Sequence, residues 1–334
     1  MRGVVKIINP YDPGEFPRSG EVLQLGSNEN PYPPSERVRK AYCEAAAKIN
    51  RYPDARYQEL KEVIAEYVEC DAKNVALGCG ASELINRVCD CIVEELDKVV
   101  IPMPSYTLYA IYAMLRSASI EMPVFKSYRI DAEAIAELKP KLTFVCSPNN
   151  PTGNVVDRKT IKRLAEVSQY LVIDEAYAEF ASKSCVDLAL QLENVIVLRS
   201  FSKFFGLAGL RVGYAIANEE IADAIERVRL PFAISQPALS CAIAAIEDVE
   251  YYEDVKRKII EERERVSREL SKRFFVYPSE ANFILVKVEE GFSRRMLERG
   301  IIVRRISLPG LEGEHARITI GTKEENDALL AKIQ

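Results

Sequence analysis

Short, nearly continuous apolar runs alternate along most of this chain with longer stretches in which apolar residues return every three or four positions. The short runs predict strands at 98–101, 120–124, 142–146, 170–174, 195–199 and 212–217. The longer stretches predict helices near 35–49, 56–69, 82–95, 106–117, 157–168 and 219–229. Strands that alternate with helices predict an α/β architecture, a doubly wound, mostly parallel sheet covered by helices on both faces. Past Pro237 the pattern changes. A charged helical stretch over 250–273 leads into short strands near 275–277, 282–288, 301–305 and 316–320, with helices near 291–299 and 323–332. That order predicts a smaller α+β domain. The first 30 residues, with Pro10, Pro13 and Pro17, read as an extended arm rather than part of a sheet. The expected division is an arm over 1–30, a large domain over 31–249 and a small domain over 250–334.

Composition narrows the function classes. With 45 basic and 50 acidic residues the net charge is −5, and no basic block stands out, so nucleic acid is not an expected partner. No apolar run reaches the roughly 18 residues of a membrane span, and Met1-Arg2-Gly3-Val4-Val5-Lys6 lacks a signal-peptide core. A soluble, cytoplasmic protein with no membrane partner is expected. The eight cysteines, among them Cys89, Cys91 and Cys146 in apolar segments, read as reduced core thiols, and there is no Cys-x-x-Cys pair. The single histidine, His315, lies in a polar Glu-Gly-Glu-His stretch and reads as an exposed loop residue. A zinc site or a Ser-His-Asp triad has almost nothing to be built from, and no metal is expected.

The candidate chemistry lies elsewhere. Ser200-Phe201-Ser202-Lys203-Phe204-Phe205-Gly206 sets a lysine among hydroxyls and hydrophobes, eight residues before Arg211. A partly desolvated lysine has a lowered pKa and can present a neutral amine to an aldehyde, while an arginine and two serines can hold a phosphate. Upstream, the apolar run Tyr170–Asp174 ends in an acid three residues before Tyr177, and Leu142–Cys146 runs into the turn-rich Ser147-Pro148-Asn149-Asn150-Pro151-Thr152-Gly153. Singly, each has an ordinary reading: Asp174 as a helix N-cap, the Pro-Asn-Asn-Pro loop as a plain turn, Tyr177 as a core aromatic. Three such groups at successive strand ends favour a site.

Together with Leu25-Gly26-Ser27-Asn28-Glu29-Asn30-Pro31, Arg51-Tyr52-Pro53-Asp54, Gly80-Ala81-Ser82-Glu83, Pro104-Ser105-Tyr106 and Ala316-Arg317-Ile318-Thr319-Ile320-Gly321, these segments carry a resemblance. The chain resembles the pyridoxal-phosphate aminotransferases of fold type I, most closely their histidinol-phosphate branch, over nearly its whole length. The resemblance implies that Lys203 holds pyridoxal 5′-phosphate as a Schiff base and, once freed, moves a proton from the substrate Cα. It implies that Asp174 pairs with the ring nitrogen, that Tyr177 and Asn150 bond the phenolic oxygen, and that Tyr106 stacks on the ring. Ala81, Ser82, Ser200, Ser202 and Arg211 are the expected phosphate donors, joined by Tyr52 from the other subunit of a homodimer. Relatives usually carry Asp where this chain has Ser82. Tyr11, Asn28, Arg304 and Arg317 are the expected substrate-binding residues, with Arg304 open to a second reading as a surface charge beside Arg305.

The implied reaction is histidinol phosphate plus 2-oxoglutarate in exchange with imidazole-acetol phosphate plus glutamate, in histidine biosynthesis. The alternatives are an aromatic or broad-specificity aminotransferase and a threonine-phosphate decarboxylase of the same fold. A cofactor-binding regulator is the non-enzyme alternative.

Overall fold

The computed structural model of the chain describes residues 3–15, 22–125 and 129–333. With strands and helices labelled in chain order, one sheet has seven strands: β2 (Val75–Gly78), β8 (Gly213–Ile216), β7 (Val195–Ser200), β6 (Tyr170–Asp174), β5 (Leu142–Cys146), β3 (Lys98–Val100) and β4 (Ser119–Glu121), in that spatial order. From β7 to β4 every pairing is parallel, and β8 runs antiparallel to both β7 and β2.

The three central strands explain the layering. Successive side chains of an extended strand point to opposite faces. Phe144, Cys146, Val172, Ile196 and Leu198 enter one core, while Val145, Leu171, Ile173, Val195 and Val197 enter the other. A strand apolar on both sides has to be covered on both sides, which is the usual setting of parallel sheets. Helices α3 (Ala81–Ile92) and α4 (Leu108–Leu115) bring Leu84, Val88 and Tyr109 to the first core. Helices α6 (Arg158–Val167) and α7 (Val186–Gln191) bring Ile161, Leu164 and Leu188 to the second. Asp157 caps α6 by accepting the Thr160 N–H, and Ser35 does the same for the helix over Glu36–Ala46. Each such cap is worth about 1 kcal/mol.

A second sheet has the order β1 (Leu23–Leu25), β11 (Ile301–Ile306), β12 (His315–Thr319), β10 (Phe283–Lys287) and β9 (Phe275–Val276). Strand β1 corrects the reading of the first 30 residues as an arm outside any sheet, because Leu23–Leu25 pairs in parallel with Ile301–Val303. Three residues are too few to show an alternation. Pro17 lies outside the described residues. His315 is a second correction. It is 1 % exposed on β12, its ring meets the Tyr277 hydroxyl at 3.2 Å, and burial lowers its pKa. The acidic neighbour Glu314 misled the reading, since that carboxylate is itself buried, accepting the Gly291 and Ser293 N–H groups at 2.7 and 2.8 Å.

The pattern also passed over β1, β2, α7 and the helices over Ala132–Leu138 and Gln236–Ile246. The last is buried at Ala238, Leu239, Cys241, Ala242, Ala244, Ala245 and Ile246, so no polar face marks its period. The eight cysteines are all unpaired; Cys89, Cys146 and Cys241 are buried, whereas Cys43 is exposed, unlike a core thiol. Among the described residues no helix is long and apolar enough to cross a membrane.

Candidate active site

The carboxyl ends of β5, β6 and β7 deliver Asn150, Asp174 and Lys203 to one edge of the large sheet, where open α/β folds bind ligands. Asp174 is the last residue of β6 and is buried. It is not a helix N-cap: one carboxylate oxygen accepts the Tyr109 hydroxyl at 2.6 Å and the other the Ala176 N–H at 3.0 Å. Burial pushes this carboxyl up, and those two donors oppose it. The next residue, Glu175, meets Arg199 of β7 at 2.9 Å, and Arg199 also bonds Glu179 at 2.7 Å. Breaking a buried pair of this kind is costly, so it ties the end of β6 to the end of β7.

Lys203 follows β7, and its Nζ donates to the Ser27 carbonyl at 3.0 Å. Burial, reinforced by Arg317, lowers its pKa to about 7, against the opposing pull of Glu29. The amine lies 5.9 Å from the Tyr177 ring centre. The Tyr177 hydroxyl accepts from Asn28 Nδ2 at 3.0 Å, and burial raises the phenol pKa. Asn28 is buried with φ +54°, a left-handed conformation that asparagine tolerates better than most residues. Its backbone is held by the Thr319 hydroxyl at 2.8 Å and by Asn282 Nδ2 at 3.1 Å, so the segment after β1 stitches the two sheets together.

Arg317, on β12, donates to Asn150 Oδ1 at 2.7 Å and to the Gly26 carbonyl at 2.6 Å, while its buried Nε has no protein partner. Arg304 is its register partner on β11. Opposite residues of an antiparallel pair face the same way, so two guanidinium groups share one face of the small sheet. Arg304 reaches Asp12, with the carboxylate 3.2 Å away. Tyr11 packs edge-on against Tyr106 at 6.1 Å, and Tyr106 in turn against Tyr109 at 5.6 Å. The Ser82 hydroxyl is engaged with that of Tyr106.

A cluster of donors lies where α3 starts. Arg211 donates to Ser202 Oγ at 3.1 Å, and Ser200 Oγ accepts the Ser202 N–H at 3.1 Å. Gly80, at φ +79°, precedes α3, and a Cβ there would lie 2.5 Å from Arg211 Nη2. A Cβ on Gly213, paired with Ser200, would meet the Ala81 backbone N at 2.6 Å. Arg211, Ala81, Ser200 and Ser202 are thus crowded round one point with no room for added side chains. Tyr52 does not join them. It is 79 % exposed and stacks on Phe232 at 4.3 Å.

The sequence pattern described as aminotransferase class I and II matches residues 20–333. The chain belongs to that family. It is 56 % identical to histidinol-phosphate aminotransferase 2 of Archaeoglobus fulgidus, over 100 % of this chain and 99 % of the relative. It is 36 % identical to the histidinol-phosphate aminotransferase of Methanocaldococcus jannaschii, over 99 % and 95 %. Among solved structures, histidinol-phosphate aminotransferase of Sinorhizobium meliloti in complex with pyridoxal-5′-phosphate superposes with a TM-score of 0.89 at 26 % identity, covering 99 % of this chain and 95 % of that one. The chain is a pyridoxal-phosphate-dependent transaminase of fold type I.

The residues of this class I and II aminotransferase fit the cofactor. A helix N-terminus, a guanidinium and two serine hydroxyls make a donor set for a phosphate dianion. A lysine amine near pH 7 suits an aldehyde, and a buried carboxylate suits a cationic ring nitrogen. Sequence reasoning missed Tyr109. The signal available to it was an i, i+3 tyrosine pair, Tyr106 and Tyr109, at the start of an otherwise apolar helix.

Proposed function

We propose that the chain exchanges the amino group of histidinol phosphate with 2-oxoglutarate, giving imidazole-acetol phosphate and glutamate, as a cytoplasmic enzyme of histidine biosynthesis. The relatives' names support this reaction. The observation that carries the substrate assignment is the Arg304–Arg317 register pair beside Lys203, with a buried Nε on Arg317 still unpartnered. Two arginines on one face suit a phosphate dianion or a dicarboxylate better than a lone carboxylate. In this reading Arg304 exchanges Asp12 for the substrate phosphate, so one anion replaces another. Tyr11 closes over the substrate from the same segment, and Asn28 keeps Tyr177 oriented.

When bound, pyridoxal phosphate supplies an aldehyde that exchanges amines and an electron-poor ring. Lys203 Nζ, neutral over much of the population near pH 7, takes the proton from the substrate Cα. Asp174 keeps a negative charge beside the ring nitrogen. Tyr177 and Asn150 would donate to the phenolic oxygen; Arg317 occupies the Asn150 carbonyl, which turns the amide NH2 towards an acceptor. Ala81, Ser82, Ser200, Ser202 and Arg211 would hold the phosphate, and Tyr106 the ring face.

Arg304→Ala tests the substrate assignment. A charge-assisted hydrogen bond is worth about 1.5–3 kcal/mol, or about one to two decades in kcat/KM. That loss is expected for histidinol phosphate and not for an unphosphorylated aromatic amine. An equal loss on all amines, or a wild type that prefers phenylalanine, points instead to a broad-specificity aminotransferase.

The proposed working form is a homodimer in which Tyr52 reaches the partner's cofactor phosphate. The exposed Tyr52–Phe232 stack, with Leu230 exposed beside it in sequence, supports a contact with a second copy. Tyr52→Phe is expected to weaken cofactor retention about tenfold, the scale of one hydrogen bond to a charged group. Sedimentation and kinetics at one concentration check this, and a fully active monomer would contradict it.

A further inference from the structure

We propose that Tyr109 is a positioning residue for the transamination, holding Asp174 ionised and oriented towards the cofactor ring nitrogen through one buried hydrogen bond. This rests on the role proposed above for Asp174. The packing of Tyr109 does not require a hydroxyl. Its ring lies flat on Phe144, with centres 4.8 Å apart and planes 6° from parallel, and meets Tyr106 edge-on. A phenyl ring would keep both contacts. What it would lose is the hydroxyl 2.6 Å from Asp174, at a place where Tyr109 is fully buried.

A tyrosine hydroxyl has a single proton to give. The other group against it is the Cys146 thiol, which donates to the Pro148 carbonyl at 3.3 Å and which burial keeps protonated. Of the two acceptors that the hydroxyl faces, a carboxylate oxygen at 2.6 Å is far stronger than a thiol sulfur, so the Tyr109 proton goes to Asp174. On the carboxylate, one oxygen receives Tyr109 and the other the Ala176 N–H, and lone pairs remain for a third donor. Burial drives this carboxyl towards its neutral form, and a neutral carboxyl offers no charge to a protonated ring. The Ala176 N–H is provided by the backbone at any sequence. The Tyr109 hydroxyl is the donor that a side-chain choice adds, and the Phe144 stack fixes its direction.

The test uses the cofactor-loaded enzyme and its Tyr109→Phe variant. With 15N-labelled pyridoxal phosphate bound, the ring-nitrogen signal should move towards the unprotonated position in Tyr109→Phe. Its kcat should fall about 10- to 100-fold, the scale of a hydrogen bond to a charged group, with KM for the amine donor within about twofold. Because Tyr109 acts through Asp174, the same change in an Asp174→Asn background should cost less than about threefold, a non-additivity that a packing role would not produce. Tyr109→His, which keeps an N–H donor, should recover part of the loss.

An unchanged nitrogen signal and rate in Tyr109→Phe, with Asp174→Asn crippled, overturns the proposal and leaves the role of Asp174 standing. A fully active Asp174→Asn overturns that role itself. Should Tyr109→Phe fail to fold, the protein with 3-fluorotyrosine at position 109 carries the test: its stronger donor should shift the nitrogen signal, and no shift overturns the proposal.

Discussion

Lys203→Ala is expected to remove turnover and the absorption band of the lysine-linked cofactor together, while the two sheets stay folded. The lysine side chain makes one hydrogen bond to the Ser27 carbonyl, and its sequence neighbours Phe201, Phe204 and Phe205 are the ones that enter the core. Removing the amine therefore takes away the proposed nucleophile and proton carrier and little packing. A loss of at least about four decades in kcat follows if one residue serves both steps. Single-turnover rates and absorption spectra of the variant check this, and a wild-type rate would show that another residue does the chemistry.

The same lysine sets a pH dependence whose sign can be worked out. An ordinary lysine, near 10.5, is neutral in about one molecule per thousand at pH 7.5. Lys203, lowered to about 7 by burial and by Arg317, is mostly neutral there. The capture of added pyridoxal phosphate by cofactor-free protein should accordingly rise as pH passes upward through about 7 and then level off. Arg317→Ala removes a neighbouring positive charge, which raises the lysine pKa and moves this rise to higher pH. Stopped-flow absorbance across pH 6–9 gives the midpoint directly.

Asp174→Asn is expected to have the second large effect, about three decades in kcat, equivalent to about 4 kcal/mol of barrier. The amide keeps the shape of the carboxylate and can still accept from Tyr109 or Ala176, so the fold at the end of β6 should survive. What disappears is the buried negative charge proposed to favour a protonated ring nitrogen. Thermal unfolding within a few degrees of wild type, together with that loss of rate, separates the chemical role from a structural one. A rate within tenfold of wild type would remove Asp174 from the mechanism.

Much of the architecture was legible in the chain because it rests on local periodicity. The runs at 142–146 and 170–174 became β5 and β6 with those bounds, since a strand buried on both faces writes itself as unbroken apolar sequence. The charged stretch at 250–273 became a helix over Val249–Leu270, since one buried stripe against water writes a 3.6-residue period. The family and the cofactor were legible for a related reason: the chemistry demands particular residue types in a fixed order at successive strand ends.

Only the tertiary structure decided which distant groups meet. Arg317 reaches Asn150 and Gly26 across 167 and 291 residues of chain, and Tyr109 reaches Asp174 across 65. It also decided that Leu23–Leu25 forms a strand and that His315 is buried, both settled by the partners β11 and Tyr277 rather than by neighbours in sequence. Burial, and with it the lowered pKa of Lys203, is a property of what packs round a group. A sequence states the local preference of each residue, but desolvation and long-range hydrogen bonding depend on the company that the completed fold supplies.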